Sequence, residues 1–165
     1  MDSQAILVLT TGGTIDKNYF DALSEYQVVD SGIPALLKEA RVALPFRIEE
    51  VCRKDSLELT DEDRADIARR VAEAAEARIV ITHGTDTMTE TAKTLAGMQG
   101  KTVVLTGALS PARFAETDAP FNLGMAFAIA QVAPPGVYIA MSGQVFDGLR
   151  VRKDRAGGRF VAVED

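Results

Sequence analysis

"RIVITHGTDTMTETA", residues 78–92, decides the fold. Its first part, "RIVIT", is short, apolar and rich in β-branched residues, so it reads as a buried strand. Its last part reads as a helix starting near Thr87. Thr87 and Glu90 have the spacing of a capping box, and Met88, Ala92 and Leu95 share one face. Between them lies a polar loop with a glycine. Strand, loop and helix in that order make half of a strand–helix–strand unit.

The same unit recurs on either side. "QAILVLT" reads as a buried strand, and "SGIPALLKEAR" as a helix with Ser31 as N-cap and Pro34 in its first turn. "FRIEEVC" alternates as a half-buried strand. Thr60 then caps "DEDRADIARRVAEAAEA", whose acidic first turn suits the helix dipole and whose Ile67, Val71 and Ala75 form an apolar stripe. Further on, "TVVLTG" is a strand. "DAPFNLGMAFAIAQV" is a helix with Asp118 as N-cap and Phe121, Met125, Ile129 and Val132 facing inward. Pro134, Pro135 and Gly136 stop it, and "VYIAMSG" is a fifth strand. The tail segment "RFVAV" also has strand character. "TTGGTIDKNYFDALSEY" reads as a glycine-bearing loop entering an irregular stretch.

This alternation predicts an α/β fold with right-handed crossovers: a three-layer sandwich around a mainly parallel, doubly wound sheet. Length predicts that residues 1–165 form a single domain. Ligands of such sheets bind beyond the carboxyl ends of the strands. The loops "TTGGT" (10–14), "RKDSLELT" (53–60), "THGTDT" (82–87), "TGALSP" (106–111) and "MSGQVFDG" (141–148) all follow strand ends, so all are expected at that one edge.

Composition excludes several function classes. The net charge of −6 argues against a nucleic-acid partner, which needs clustered Lys and Arg. The basic cluster "GLRVRKDRAGGR" is interrupted by an aspartate. No apolar run approaches the ~20 residues that span a bilayer, and the start lacks the pattern of a signal peptide. A cytoplasmic protein without membrane partners is the expectation. Cys52 is the sole cysteine, which reads as a small buried thiol rather than part of a disulfide framework. One His and one Cys are too few for a usual zinc site, so neither metal nor cofactor is expected.

Two chemistries fit hydroxyls and bare backbone at a strand end. A phosphate cradle needs Gly-x4-Gly-Lys-Ser/Thr, or Gly-x-Gly-x-x-Gly opening a helix, and neither pattern is present. A threonine nucleophile needs a nearby base and backbone N–H groups aimed at the developing oxyanion. Gly12 and Gly13 let backbone approach a substrate closely. Thr14 then offers a hydroxyl, and "GTDT" at 84–87 adds a second hydroxyl beside a carboxylate at a helix start.

"TGGTI" and "ITHGTDTMTETA" together resemble the two signature segments of the bacterial-type L-asparaginase family. The resemblance runs on through "VVLTGALSPARFAETDAPFNLGMAFAIA" and "MSGQVFDGLRVRK", and covers nearly all of the chain. It implies the family's N-terminal domain, with a flavodoxin-like sheet. It further implies hydrolysis of the side-chain amide of asparagine, or a close analogue, to aspartate and ammonia through an acylated threonine. Carried over residue by residue, it makes Thr14 the nucleophile and Tyr26, on a mobile loop, its partner; Tyr19 is the other tyrosine in reach. It makes Thr85, Asp86 and Lys153 a second catalytic triad. Ser56, with Gly84 and the Thr85–Asp86 turn, would hold the substrate's α-carboxylate. Asp86 would also meet the ammonium, and the Ala108 backbone would contact the amide. The expected partner is thus a small-molecule amide, and the expected assembly a homodimer or higher homo-oligomer.

Full-length members of the family carry a second, smaller domain, which supplies an acidic residue near the ammonium. That domain lies outside the resemblance. Leu57 departs from the polar residue that many members place beside the serine, and Glu58 is the nearest acid to replace it.

The plainer readings stand beside these. Thr14 is also what a turn after two glycines would carry. Thr85 and Asp86 also suit a helix cap. Lys153 also fits a surface cation, and Tyr26 also fits loop packing. His83, next to a strand end, suits a structural hydrogen bond or a general base. At the level of function, a binding or regulatory module on the same fold is the alternative to a hydrolase. An amidotransferase component acting on a larger carrier is a third reading.

Overall fold

The computed structural model describes residues 4–164. In chain order the strands are β1 (Ile6–Gly12), β2 (Lys17–Phe20), β3 (Glu25–Val28), β4 (Phe46–Lys54), β5 (Arg78–Thr82), β6 (Thr102–Thr106), β7 (Gly136–Met141), β8 (Gln144–Asp147), β9 (Val151–Asp154) and β10 (Arg159–Ala162). The helices are α1 (Ile33–Glu39), α2 (Asp61–Glu73), α3 (Met88–Thr94) and α4 (Ala119–Val132), with short 3-10 turns at Thr14–Asp16 and Ser56–Glu58.

The main sheet has the order β4-β1-β5-β6-β7-β8. Its first five strands run parallel, and β8 folds back antiparallel on β7. The five predicted strands therefore lie in the order second, first, third, fourth, fifth, which is the flavodoxin-like winding.

Both faces of the sheet are covered. On one face Leu7, Leu9, Ile79, Ile81, Val103 and Leu105 pack against Ile67 and Val71 of α2 and Met88 and Ala92 of α3. On the other face Ile6, Val8, Val80 and Val104 pack against Ile33 and Leu37 of α1 and Leu123, Ala126 and Phe127 of α4. Alternate residues of one strand thus feed opposite cores, as the strand period requires.

That placement overturns one expectation. The β1–α1–β4, β4–α2–β5 and β5–α3–β6 connections share one hand. The β6–α4–β7 connection moves along the sheet in the direction of the previous two but crosses the opposite face. Its hand is reversed, and so it is left-handed. The physical route is the long loop after β6. It passes over the carboxyl edge, and Ala112 N donates to Ile15 O at 3.0 Å, next to Thr14.

Local expectations met tertiary competition at several points. Thr60 caps α2 in a reciprocal box with Asp63, as its type predicts. The α1 N-cap is Gly32 rather than Ser31; the Ser31 hydroxyl accepts from Ile33 N and donates to Asp16 Oδ1. Thr87 sits at the N-cap of α3 without capping it, because its hydroxyl donates to Ser56 O at 2.7 Å. Glu90 pairs instead with Arg64. Asp118 sits at the α4 N-cap, but its carboxylate accepts from Leu109 N, Ser110 N and Asn122 Nδ2. Phe121 and Val132 of α4 point outward, at 65% and 83% exposure. Ala75 lies beyond the end of α2 and is exposed. The stretch expected to be irregular is a hairpin, β2 paired antiparallel with β3. The strand expected in "RFVAV" is present as β10, paired with β9. Among the described residues, no helix is long and apolar enough to cross a membrane.

Candidate active site

The winding reverses between β1 and β5, adjacent strands whose outgoing connections diverge, one toward β4 and the other toward β6. Thr14 lies just past β1, and Thr85 and Asp86 just past β5. This crevice is where an open α/β sheet places its ligand.

Glycine sets the spacing of the two loops. A Cβ on Gly13 would lie 2.4 Å from Gly84 N, so the two loops touch backbone to backbone. Gly13 also has φ +83°, in the region where side chains are strained. A Cβ on Gly84 would lie 2.6 Å from Ser56 Cβ. The loops after β1 and β5 are therefore stacked backbone on backbone, and the β5 loop rests in turn on the Ser56 side chain of the loop after β4.

Lys153 closes the second part of the site. It comes from β9, far along the chain, and is mostly buried at 16% side-chain exposure. Its Nζ donates to Thr85 Oγ1 at 2.7 Å and to Asp86 Oδ1 at 2.7 Å. The ammonium is thus pinned between a hydroxyl and a carboxylate. With Lys153 donating to it, the Thr85 oxygen can aim its own proton elsewhere.

Ser56 lies beneath the Thr85 loop and is buried. Its Oγ accepts from Thr87 N at 3.3 Å, which leaves the hydroxyl proton free to donate. Arg64, also buried, donates to Thr87 Oγ1 at 2.9 Å, Thr91 Oγ1 at 3.2 Å and Leu59 O at 3.2 Å. This arginine ties α2 to the start of α3 and fixes the floor of the crevice. Periodicity gave no sign of it, since it sits beside the charged first turn.

Tyr26 stands on β3, 53% exposed. It lines a cleft of about 300 Å³ with Thr14, Lys17, Leu109, Ser110, Pro111 and Phe114. Its ring lies 5.9 Å from that of Phe114 and 5.0 Å from that of Tyr19. Of the two tyrosines on the hairpin, Tyr26 is the one that lines the Thr14 cleft. Ala108 is buried at the start of the loop that forms the far wall, in the same core cluster as Ile15. Leu57 is exposed, and Glu58 shares a neighbouring cleft with Tyr26 and Lys17. Lys17 Nζ also pairs with Asp55 Oδ2 at 2.6 Å, joining the hairpin to the Ser56 turn. Burial works against the Asp55 carboxylate, but the bond and charge of Lys17 hold it below the usual range.

The sequence profile described as "Asparaginase, N-terminal" matches residues 5–161. The chain belongs to the asparaginase family. It is 35% identical over 158 residues to the L-asparaginase of Thermococcus kodakarensis, covering 90% of this chain and 47% of that protein. It is 31% identical over 166 residues to a glutaminase-asparaginase of Pseudomonas fluorescens, covering 90% and 45%. The solved structure of L-asparaginase I from Vibrio cholerae superposes with a TM-score of 0.83 at 31% identity, covering 96% of this chain and 51% of that one. This asparaginase-family chain thus spans about half the length of the relatives it matches.

Two buried titratable groups flank the crevice. His83 is fully buried, with Nδ1 2.6 Å from Gly84 O and Nε2 2.7 Å from Thr91 Oγ1. Burial pushes its pKa from 6.5 down to about 4, helped by the charge of Arg64. A neutral ring with both nitrogens engaged is the structural hydrogen-bonding residue of the two readings. Asp16 is buried just behind Thr14. Burial raises its pKa from 3.8 to about 6, although bonds from Ser31 and Gly32 N and the charge of Arg113 pull the other way.

These shifts oppose each other in acid. The folded state binds fewer protons at His83 than the unfolded chain, so that stability is present above pH 6.5 and lost as pH falls toward about 4. It binds more protons at Asp16, so that stability is present below 3.8 and lost as pH rises through about 6. Asp16→Asn removes the second effect alone. At about 1.4 kcal/mol per unit, the variant should gain about 1–3 kcal/mol over the parent at pH 7 and nothing at pH 4. Urea unfolding at the two pH values measures this. A gain that is equal at both would contradict the assignment.

Proposed function

We propose that the chain is an amidohydrolase that cleaves the side-chain amide of L-asparagine, or a close analogue, to aspartate and ammonia. The observation that carries this is Lys153 bound to Thr85 and Asp86 in a loop that rests directly on the Thr14 turn. In this reading the Thr14 oxygen attacks the amide carbon. Its proton is taken up with the help of Tyr26 and restores Lys153 once that lysine has passed one proton through Thr85 to the departing nitrogen, so the nitrogen gains a single proton. Asp86 holds Lys153 in place. Ammonia departs, water attacks the Thr14 ester, and the same relay runs in reverse to free aspartate. No step calls on a metal.

A zwitterionic substrate needs donors for its carboxylate and a carboxylate for its ammonium. The free proton of Ser56, with backbone at Gly84 and Thr85, supports the first. Asp86 supports the second, with Glu58 the next acid. The Ala108 backbone would receive the amide end. A neighbouring copy of the chain, in a homodimer or larger assembly, would complete the open side of the cleft.

The test is ammonia release from asparagine and glutamine in a coupled assay, run beside calorimetry with aspartate. Ammonia release supports the proposal. Aspartate binding without any release supports the competing reading of a binding module, which the exposure of Tyr26 favours. Neither release nor binding removes both.

A further inference from the structure

We propose that Asp16 is a positioning residue: its buried carboxylate ties the turn that carries Thr14 to the start of α1, and so fixes both the threonine and the root of the hairpin that brings Tyr26 to it. The inference rests on the amidohydrolase reading for its kinetic part only.

The geometry is specific. Asp16 ends the 3-10 turn that begins at Thr14, and it is 1% exposed. Its Oδ1 accepts from Ser31 Oγ at 2.9 Å and from Gly32 N at 3.2 Å. Its backbone is held too: Asp16 N donates to Gly13 O at 3.1 Å, and Val29 N donates to Asp16 O at 3.1 Å. Residues 16 and 29 bracket the hairpin, so every bond at Asp16 acts at its base. The adjacent Ile15 O receives Ala112 N. The Thr14 turn is therefore clamped by α1 on one side and by the loop after β6 on the other.

A carboxylate at this place is costly, because burial disfavours its charge. Ionised, it accepts the two bonds far more strongly than a neutral group would. Protonated on its other oxygen, it still accepts both bonds at Oδ1, less strongly. The charged groups that bear on it are Arg113, from the loop after β6, and Glu50 and Arg53, from β4. Arg113 is itself engaged by Asp30, through the backbone oxygen at 2.6 Å and the carboxylate at 3.4 Å. Lys17, the next residue, is turned away to Asp55. The clamp therefore rests on the Oδ1 acceptor rather than on the charge, which burial opposes as pH rises through about 6.

The test uses the full chain with Asp16→Ala, Asp16→Asn and the milder Ser31→Ala. Hydrogen exchange of the hairpin amides reads the clamp without any need for activity. Asp16→Ala should speed exchange at residues 17–29 about tenfold at pH 7, Ser31→Ala should do so less, and Asp16→Asn should stay near the parent. The kinetic arm is ammonia release between pH 4.5 and 8. Asp16→Ala should lower kcat about tenfold or more with KM changed less than about threefold, the signature of a misplaced nucleophile. Asp16→Asn, which keeps the Oδ1 acceptor, should lower kcat far less than Asp16→Ala across that range. Unchanged exchange in both Asp16→Ala and Ser31→Ala overturns the clamp. Asparagine as damaging as alanine overturns the role of the Oδ1 acceptor. A parent that releases no ammonia sinks the hydrolase reading instead, and leaves the exchange result to decide on Asp16.

Discussion

Thr14→Ala is expected to reduce ammonia release from asparagine by on the order of 10³-fold or more, with the fold and the binding of aspartate intact. The size follows from the proposed chemistry. Alanine removes the one atom that would form the acyl bond, so no partial step remains. The structure limits the collateral damage. Thr14 is only half-buried, and the turn around it is held by the bonds of Asp16 and Ile15 and by the contact of Gly13 with Gly84. A methyl group at position 14 disturbs none of these. The measurement is a coupled ammonia assay on parent and variant, with circular dichroism and aspartate calorimetry as controls. A variant that keeps its rate would show that Thr14 is a turn residue and no more. A useful companion is Thr14→Ser, which keeps the hydroxyl and should retain measurable turnover.

The second large effect is expected at Lys153. Lys153→Met should lower kcat by on the order of 10²-fold or more, as for a group in a proton relay. Methionine fills much of the same space but has no charge and no donor. Thr85 then loses the donor that orients its hydroxyl, and Asp86 loses its 2.7 Å partner. Asp86 is also proposed to meet the substrate's ammonium, so KM should move as well, but less than kcat. Lys153→Arg keeps the charge yet presents a wide, flat fork, which does not fit a site shaped to one nitrogen. It should remain well below the parent. A fall in kcat of less than about threefold in Lys153→Met would assign the lysine to structure alone.

The sequence announced the parallel strands plainly, because "ILVL", "IVI" and "VVL" are buried on both faces and so read as unbroken apolar runs. The hairpin of β2 and β3 stayed hidden for the opposite reason. "KNYF" is mostly half-buried and "EYQV" mostly exposed, so neither buries a face and neither shows alternation. In α4, "AFAIA" is apolar almost all round, so periodicity could not choose which face points inward. The hand of the β6–α4–β7 connection is set by where its loop docks, and no local pattern records that.

The candidate site divides in the same way. Thr14, Thr85, Asp86 and Lys153 were singled out through their motifs, and in the structure Lys153 bonds to both Thr85 and Asp86. Asp16 and Arg64 were not. Each looks like a surface charge in the sequence and becomes buried only when distant elements close over it. The one available signal for Asp16 was a carboxylate placed directly after the apolar Ile15 in a glycine turn. The diverted caps at Thr87 and Asp118 carry the same message. Near a site, a polar side chain with a helix-capping type is drawn to a tertiary partner that needs it more.

The contact of Gly13 with Gly84 also limits how this crevice can be reshaped by design. Two backbones that meet directly have no rotamer to trade, so the distance between the threonine loops cannot be tuned by swapping side chains there. A longer amide substrate would have to be accommodated in the outer cleft, at Lys17 or Tyr26 of the hairpin or at Phe114 of the loop after β6, where the walls are side chains. Variant libraries aimed at new substrates gain from diversity at those positions and lose folded members wherever either glycine is allowed to change.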